Sequence, residues 1–128
     1  MTLPATLRKP KLHFDTAANP SHVTFDDGWD ERRNLPWSQY VVTLWHYAEP
    51  DTIKMEIGDC LVVICGHNLL PLFQAIEDRT LTRVRAQPNL ENAVDRVSDS
   101  FATEIRFTQR AAGGSASQPG QIEFTLGE

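Results

Sequence analysis

Two thiols and an imidazole fall within one short segment, residues 60–68, which has the sequence CLVVICGHN. Cysteine and histidine side chains are common ligands of zinc and a common pair in nucleophilic catalysis. Residues five apart in a strand face opposite sides and lie roughly 16 Å apart, beyond the reach of a disulfide or of one metal ion. The pattern therefore predicts that Cys60 and Cys65 form no shared site, and that Cys60 is a small buried hydrophobe.

Cys65 and His67 form a separate candidate, because residues two apart on a strand share a face. A thiol beside an imidazole is typical of a nucleophile pair or of half a metal site. Gly66 lies between them and can turn the histidine away. Packing at a strand end, with Asn68 in the following turn, is therefore the favoured interpretation.

His46 is the other histidine of interest. Glu49 and Asp51 follow it closely, and a nearby carboxylate can tune a histidine as a general base. A half-exposed histidine at the end of a strand is the commoner situation. A pocket joining His46 to Cys65 and His67 would make the chain a small enzyme or ligand-binding module, which is the alternative function considered.

A charged loop predicted over residues 26–34 contains one large aromatic side chain. Asp26, Asp27, Asp30 and Glu31 lack the order of ligands that a calcium-binding loop requires, so solvated carboxylates are expected. Trp29 is different, since a large aromatic ring in a polar segment must either pack on the core or contact a partner. Trp29 is therefore a candidate contact residue.

Three arginines, Arg79, Arg83 and Arg85, are close together in the sequence, and the last two share a predicted strand face. They form a candidate site for a phosphate or an acidic peptide. Charges that protect an edge strand from aggregation are the favoured interpretation. The net charge of −5 argues against nucleic acid as a partner, because such binding depends on neutralising several phosphates.

The composition is that of an ordinary globular domain, with 128 residues of which 41% are hydrophobic and 23% are charged. The longest apolar run has the length of a strand, and no hydrophobic segment follows the first basic residues. We therefore expect a cytoplasmic protein without a membrane-spanning segment. No phosphate-binding glycine loop, HExxH motif or CxxC pair is present, so the sequence predicts no cofactor, no metal and no catalytic residue.

A β-hairpin is the clearest element. Residues 52–57 alternate between polar and apolar, and Gly58-Asp59 makes a two-residue turn into a strand over 60–65. The turn fixes the register as the pairs Ile57 with Cys60, Met55 with Val62, and Ile53 with Ile64.

A helix over 69–78 and further strands surround this hairpin. Asn68 is the expected N-cap of the helix, and residues 81–85 form a returning strand. Residues 37–47 carry apolar groups on both alternating faces, which predicts a central strand covered on two sides. Further strands are expected over 22–25, at a sheet edge, and over 101–108.

These elements predict an α+β fold, a small mostly antiparallel sheet with one main helix packed on one face. The domain would occupy 20–108, after a flexible N-terminal arm at 1–19 and before a flexible linker at 109–121. Residues 122–128 alternate again, which is typical of a C-terminal tail or an edge strand. The predicted core comprises Val42, Leu44, Ile53, Met55, Ile57, Val62, Ile64, Leu69, Leu72, Phe73 and Ile76.

We expect a non-enzymatic protein-interaction domain that self-associates or binds a protein partner. The polar candidates form no recognisable constellation, and the alternating tail on its linker offers a strand to a sheet edge. The expected contact residues are His46, Cys65, His67, Asn68 and Trp29.

Overall fold

The computed structural model describes residues 11–90 and 99–109. Within these ranges no helix is both long enough and apolar enough to cross a membrane. The linker predicted over 109–121, apart from residue 109, and the tail at 122–128 lie outside the described residues, as do residues 1–10 of the predicted arm. The strands are β1 Phe14–Thr16, β2 His22–Asp26, β3 Arg32–Pro36, β4 Tyr40–Leu44, β5 Thr52–Ile57, β6 Cys60–His67, β7 Leu81–Arg85 and β8 Phe101–Gln109, and helix α1 is Leu70–Glu77.

The strands form two sheets rather than the single small sheet that the sequence predicts. The first sheet has the order β1-β7-β2-β3 and contains one parallel pair, β2 with β7. The second has the order β4-β5-β6-β8 and is antiparallel throughout. The mixture of strands with one helix agrees with the predicted α+β class, but strands dominate. Alternation within single strands carries no information about which strands share a sheet, so it did not reveal the division.

The predicted hairpin is confirmed, including its register. Strands β5 and β6 pair with Ile57 opposite Cys60, Met55 opposite Val62, and Ile53 opposite Ile64. Gly58 has φ +60°, a backbone conformation that residues other than glycine rarely adopt. Its N–H donates to the Gln39 carbonyl at 2.8 Å. The side chains that share the inner face of this hairpin are all buried.

Helix α1 lies where the sequence predicts it, but its start differs. The N-cap is Leu69 rather than Asn68, and no side chain caps the helix. Asn68 has φ +50° and forms part of the turn before the helix. Pro71 falls in the first turn as expected. The buried stripe includes Leu69, Leu72 and Ile76.

Strand β4 corrects the prediction of a two-sided central strand over 37–47. Residues 37–39 form a 3-10 turn, and β4 is the terminal strand of its sheet, paired only with β5 among the described strands. Val41 and Val42 are exposed, so Val42 is not part of the core. The prediction of a central strand depended on apolar residues on both faces of the segment. A strand with an exposed apolar surface has the same sequence pattern.

The first sheet contains segments that were predicted to be irregular. Strand β2 is an inner strand between β7 and β3, not an edge strand. Strand β3 lies where a charged loop was expected, and it pairs with β2 along its whole length. Strand β1 belongs to the predicted arm at 1–19, yet it pairs with β7 in the sheet.

One hydrophobic cluster joins the two sheets and the helix. Phe25 and Val84 contribute from the first sheet, Met55 and Ile64 from the second, and Ile76 from α1. Eight of the predicted core residues are buried, whereas Phe73 and Leu44 are both only half-buried. The buried eight are Ile53, Met55, Ile57, Val62, Ile64, Leu69, Leu72 and Ile76.

Candidate functional site

Exposed apolar side chains lie on β4, and others on the loop that follows it share one groove with the start of α1. Six large hydrophobic residues are exposed in the described part of the chain, and four of them lie here: Val41, Val42, Tyr47 and Leu70. Single exposed apolar side chains are normal on a protein surface, but a contiguous group marks an interaction site. With Trp45 and Phe73, these four residues are called the apolar edge surface below.

A groove of about 480 Å³ lies between the β4–β5 loop and helix α1. The rings of Trp45 and Phe73 contact each other within it at a centroid distance of 5.0 Å. Its lining is predominantly apolar, with Gln74 and Glu77 as polar neighbours on the helix. This is the composition expected of a recess that receives an apolar side chain.

The β4–β5 loop holds the aromatic groups in place through its own hydrogen bonds. The Glu49 N–H donates to the His46 carbonyl at 2.9 Å, which closes a turn around Tyr47. The Trp45 indole N–H donates to the Pro50 carbonyl at 3.1 Å. Tyr47 is left fully exposed at the tip of this turn.

His46 lines the groove, and it is the one predicted contact residue that does so. It is exposed and precedes Tyr47 in the loop. The lining includes none of Cys65, His67 and Asn68.

Cys65 and His67 have different neighbours, although both belong to β6. The Cys65 Sγ lies 3.9 Å from the Thr52 Oγ1. The His67 ring contacts the Phe101 ring at a centroid distance of 5.4 Å. The register of β6 against β8 shifts between Cys65 and Gly66, so the regular alternation that would give the two side chains one face is interrupted there.

The two thiols stand apart, as the sequence predicts. Both cysteines are free, Cys60 being buried and Cys65 half-buried. Burial raises the pKa of the Cys60 thiol, although the Arg33 guanidinium, which donates to its Sγ at 3.5 Å, opposes this. A raised pKa keeps the thiol protonated at neutral pH, so Cys60 is not an activated nucleophile.

Trp29 lies in a tight acidic turn between β2 and β3 and is 85% exposed. The Asp27 carboxylate accepts the backbone N–H groups of Trp29, Asp30 and Glu31 at 2.8–3.0 Å. Desolvation acts to raise the pKa of Asp27, but these three donors together outweigh it and lower the pKa. The carboxylates of Asp27, Asp30 and Glu31 approach one another, yet the first is occupied in shaping the turn.

Comparisons with protein-family models, with curated proteins and with solved structures found no match for this chain. Its function is therefore inferred from its own surface. Sequence reasoning did not identify Trp45, Tyr47, Leu70 and Phe73 as site residues, because it assigned their segments to buried elements. The available signal was the pair of aromatic residues directly after β4, Trp45 and Tyr47.

Proposed function

We propose that this chain is a non-enzymatic protein-interaction domain that binds an extended apolar segment along the apolar edge surface. The observation that carries the proposal is that β4, the terminal strand of its sheet, with Val41 and Val42 exposed, leads directly into the loop that lines the groove containing Trp45 and Phe73. An edge strand offers unpaired main-chain groups, and a neighbouring recess offers room for a side chain. Together they provide the two components of strand addition.

Strand addition divides the binding free energy between two sources. Main-chain hydrogen bonds to β4 would hold the backbone of the ligand, independently of its sequence. An apolar or aromatic side chain in the groove would add specificity, because it buries surface against the two contacting rings of Trp45 and Phe73. The expected ligand is therefore extended, alternates between apolar and polar residues, and carries at least one aromatic group.

The chain itself contains such a segment, IEFTL at residues 122–126, outside the described residues. Ile122, Phe124 and Leu126 are two apart and would share one face of a strand. Residues 110–121 precede this segment and can span about 40 Å when extended, which is enough to leave the domain that carries them. We infer that residues 122–126 of a second copy are the occupant, so that the protein self-associates.

A reducing compartment such as the cytoplasm fits this proposal. Disulfides are rare in proteins of that compartment, and this fold needs none, because Cys60 and Cys65 lie too far apart on β6 to form one.

Light scattering of the full chain over a range of concentrations tests the proposal. The average mass should rise above the 14.4 kDa of one chain as the concentration increases. Leu70→Glu should reduce this rise, because it places a charge on the apolar edge surface. Leu12→Glu is the matched control, since Leu12 and Leu70 are both 49% exposed but Leu12 lies outside that surface.

The tail is tested in the same way. Phe124→Glu should reduce self-association, whereas Thr125→Glu introduces the same charge on the alternate side and should have the smaller effect. A mass of one chain at every concentration would contradict self-association. Equal effects of Leu70→Glu and Leu12→Glu would remove the apolar edge surface from the proposal.

A ligand-binding module remains the second candidate function, and it is favoured by the position of His46 in the groove. Small apolar molecules would depend on the groove but not on the edge of β4. Phe73→Ala would then weaken binding of an apolar dye, while Val41→Lys would leave it unchanged. Strand addition predicts that both substitutions weaken binding of a synthetic peptide with the sequence of residues 119–128.

A further inference from the structure

The outer face of the first sheet carries two arginines whose position changes their interpretation. Arg83 and Arg85 are exposed on β7, which lies between β1 and β2. Charges that protect an edge strand have no such purpose on an internal strand. Arg79, the third arginine of the predicted group, lies elsewhere, with its guanidinium 5.3 Å from the centre of the Tyr40 ring.

A polar pocket of about 260 Å³ lies between Arg83, Arg85 and the chain that leads into β1. It is called the arginine pocket below. Its charged lining consists of three cationic side chains, Lys11, Arg83 and Arg85, against one carboxylate, Asp15. These four groups give the lining a formal net charge of +2.

Arg83 forms no ion pair within the described residues. Asp15 is its partner in the β1–β7 register, yet no ion pair joins them among the residues that the structure describes. Arg85 differs, because its Nε lies 3.9 Å from the Asp26 Oδ2. Asp26 also lies 4.0 Å from the Arg32 Nε, so its charge is divided between two arginines. Of the two arginines in the pocket, Arg83 is therefore the one better able to bind a ligand.

The opposite wall of the arginine pocket is fastened to the start of β8. The Lys11 N–H donates to the Asp99 Oδ1 at 2.9 Å, and the His13 N–H donates to the Ser100 carbonyl at 2.9 Å. The His13 Nε2 lies 3.5 Å from the Asp99 Oδ2, and the Asp99 side chain is fully buried. These contacts fix the main chain of Lys11 and His13 facing the arginines.

We propose that the arginine pocket binds the phosphate group of a small phosphomonoester. A phosphomonoester carries about −1.5 to −2 charges at pH 7, which complements the +2 lining. A carboxylate and a phosphodiester each carry one negative charge, so the same cations would attract them less strongly. Guanidinium groups also present several N–H donors in a plane that matches phosphate oxygens.

The adjoining pocket on the other side of Arg83 and Arg85 does not compete for this ligand. Its lining adds Arg32 but also contains Asp26, Asp30 and Glu31, so its three arginines face three carboxylates. A balanced lining offers an anion little net attraction at the distances of a binding site. Arg83 and Arg85 line both pockets, so the pockets differ in their other charged groups, which are Lys11 and Asp15 on one side and Arg32 with three carboxylates on the other.

Titration of the full chain with O-phosphoserine, followed by amide NMR shifts at low salt, tests the proposal. Saturable shifts should centre on residues 11–15 and 83–87. Arg83→Gln should weaken binding about tenfold, as expected for one lost charge-assisted contact. Arg106→Gln is the matched control, since Arg106 is 60% exposed on the second sheet and pairs with Glu104; it removes the same charge and should change binding less than about twofold.

Lys11→Gln provides a second variant in case Arg83→Gln disturbs β7, and it should weaken binding about fivefold. Inorganic phosphate should shift the same amides, whereas serine and acetate should not. Absence of saturable shifts, or equal weakening by Arg83→Gln and Arg106→Gln, would overturn the site. Leu70→Glu should leave phosphoserine binding unchanged, so this result is independent of the proposed self-association.

Discussion

Cys60 and Cys65 have the same functional group and the same strand but different surroundings. Cys60 points into the core, where its Sγ accepts from the Arg33 guanidinium. The Arg33 guanidinium also pairs with Glu31, and this side-chain hydrogen bond is the main cause of the raised pKa of Arg33. The same guanidinium lies 4.8 Å from the centre of the Phe107 ring. Cys65 is half-buried on the opposite face of β6. The two thiols therefore differ in their access to solvent.

Alkylation should distinguish the two thiols. In the single-thiol variants Cys60→Ala and Cys65→Ala, iodoacetamide at pH 8 should modify Cys65 about tenfold faster than Cys60, because burial raises the Cys60 pKa and the thiolate is the reactive form. Mass spectrometry measures both rates. In denaturant the two variants should react equally fast. A Cys60 that reacts as fast as Cys65 in the folded protein would contradict the buried environment described for it.

At the scale of elements, the irregular pairing of β6 with β8 depends on one glycine. A Cβ built on Gly66 would collide with the Phe101 carbonyl oxygen and approach the Ala102 Cα at 2.8 Å. Both are backbone atoms, which cannot rotate away. The register shift beside Gly66 brings these strands into this close approach.

Gly66→Ala should destabilise the protein by about 3 kcal/mol, the upper range for forcing extra volume into a packed site. Gly58→Ala is the comparison. The φ of +60° at residue 58 is unfavourable for alanine. The added Cβ would lie 2.7 Å from the Gln39 Oε1, but this atom ends a flexible side chain and can move away. We therefore expect Gly58→Ala to lower the free energy of unfolding by about 1 kcal/mol. Urea denaturation measures the free energy of unfolding of both variants. A smaller decrease for Gly66→Ala than for Gly58→Ala would contradict the close approach at Gly66.

The elements also show which features a sequence can predict. The β5–β6 hairpin was predictable in full, because Gly58, alternation and a two-residue turn are local signals. The position of β7 inside its sheet was not, since its parallel pairing with β2 joins residues about sixty apart in sequence. The exposed state of Val41 and Val42 was hidden for the same reason. Apolar residues at an edge and in a centre look alike until the neighbouring strands are known.

At the scale of the whole molecule, the two sheets share one core while their outer features differ. The first sheet presents a charged outer face that contains Arg83 and Arg85. The second ends in the apolar edge surface, beside helix α1. This separation would allow an anionic ligand and an extended apolar segment to bind at the same time. Loss of one binding site should therefore leave the other intact.

Hydrogen exchange along β4, measured residue by residue by NMR, tests the apolar edge surface most directly. Amides of residues 41–44 that face away from β5 should exchange more slowly in the self-associated full chain than in Phe124→Glu, because an added strand would protect them. Thr125→Glu should retain most of that protection. Equal exchange of these amides in the full chain and in Phe124→Glu would contradict the binding of residues 122–126 at this edge.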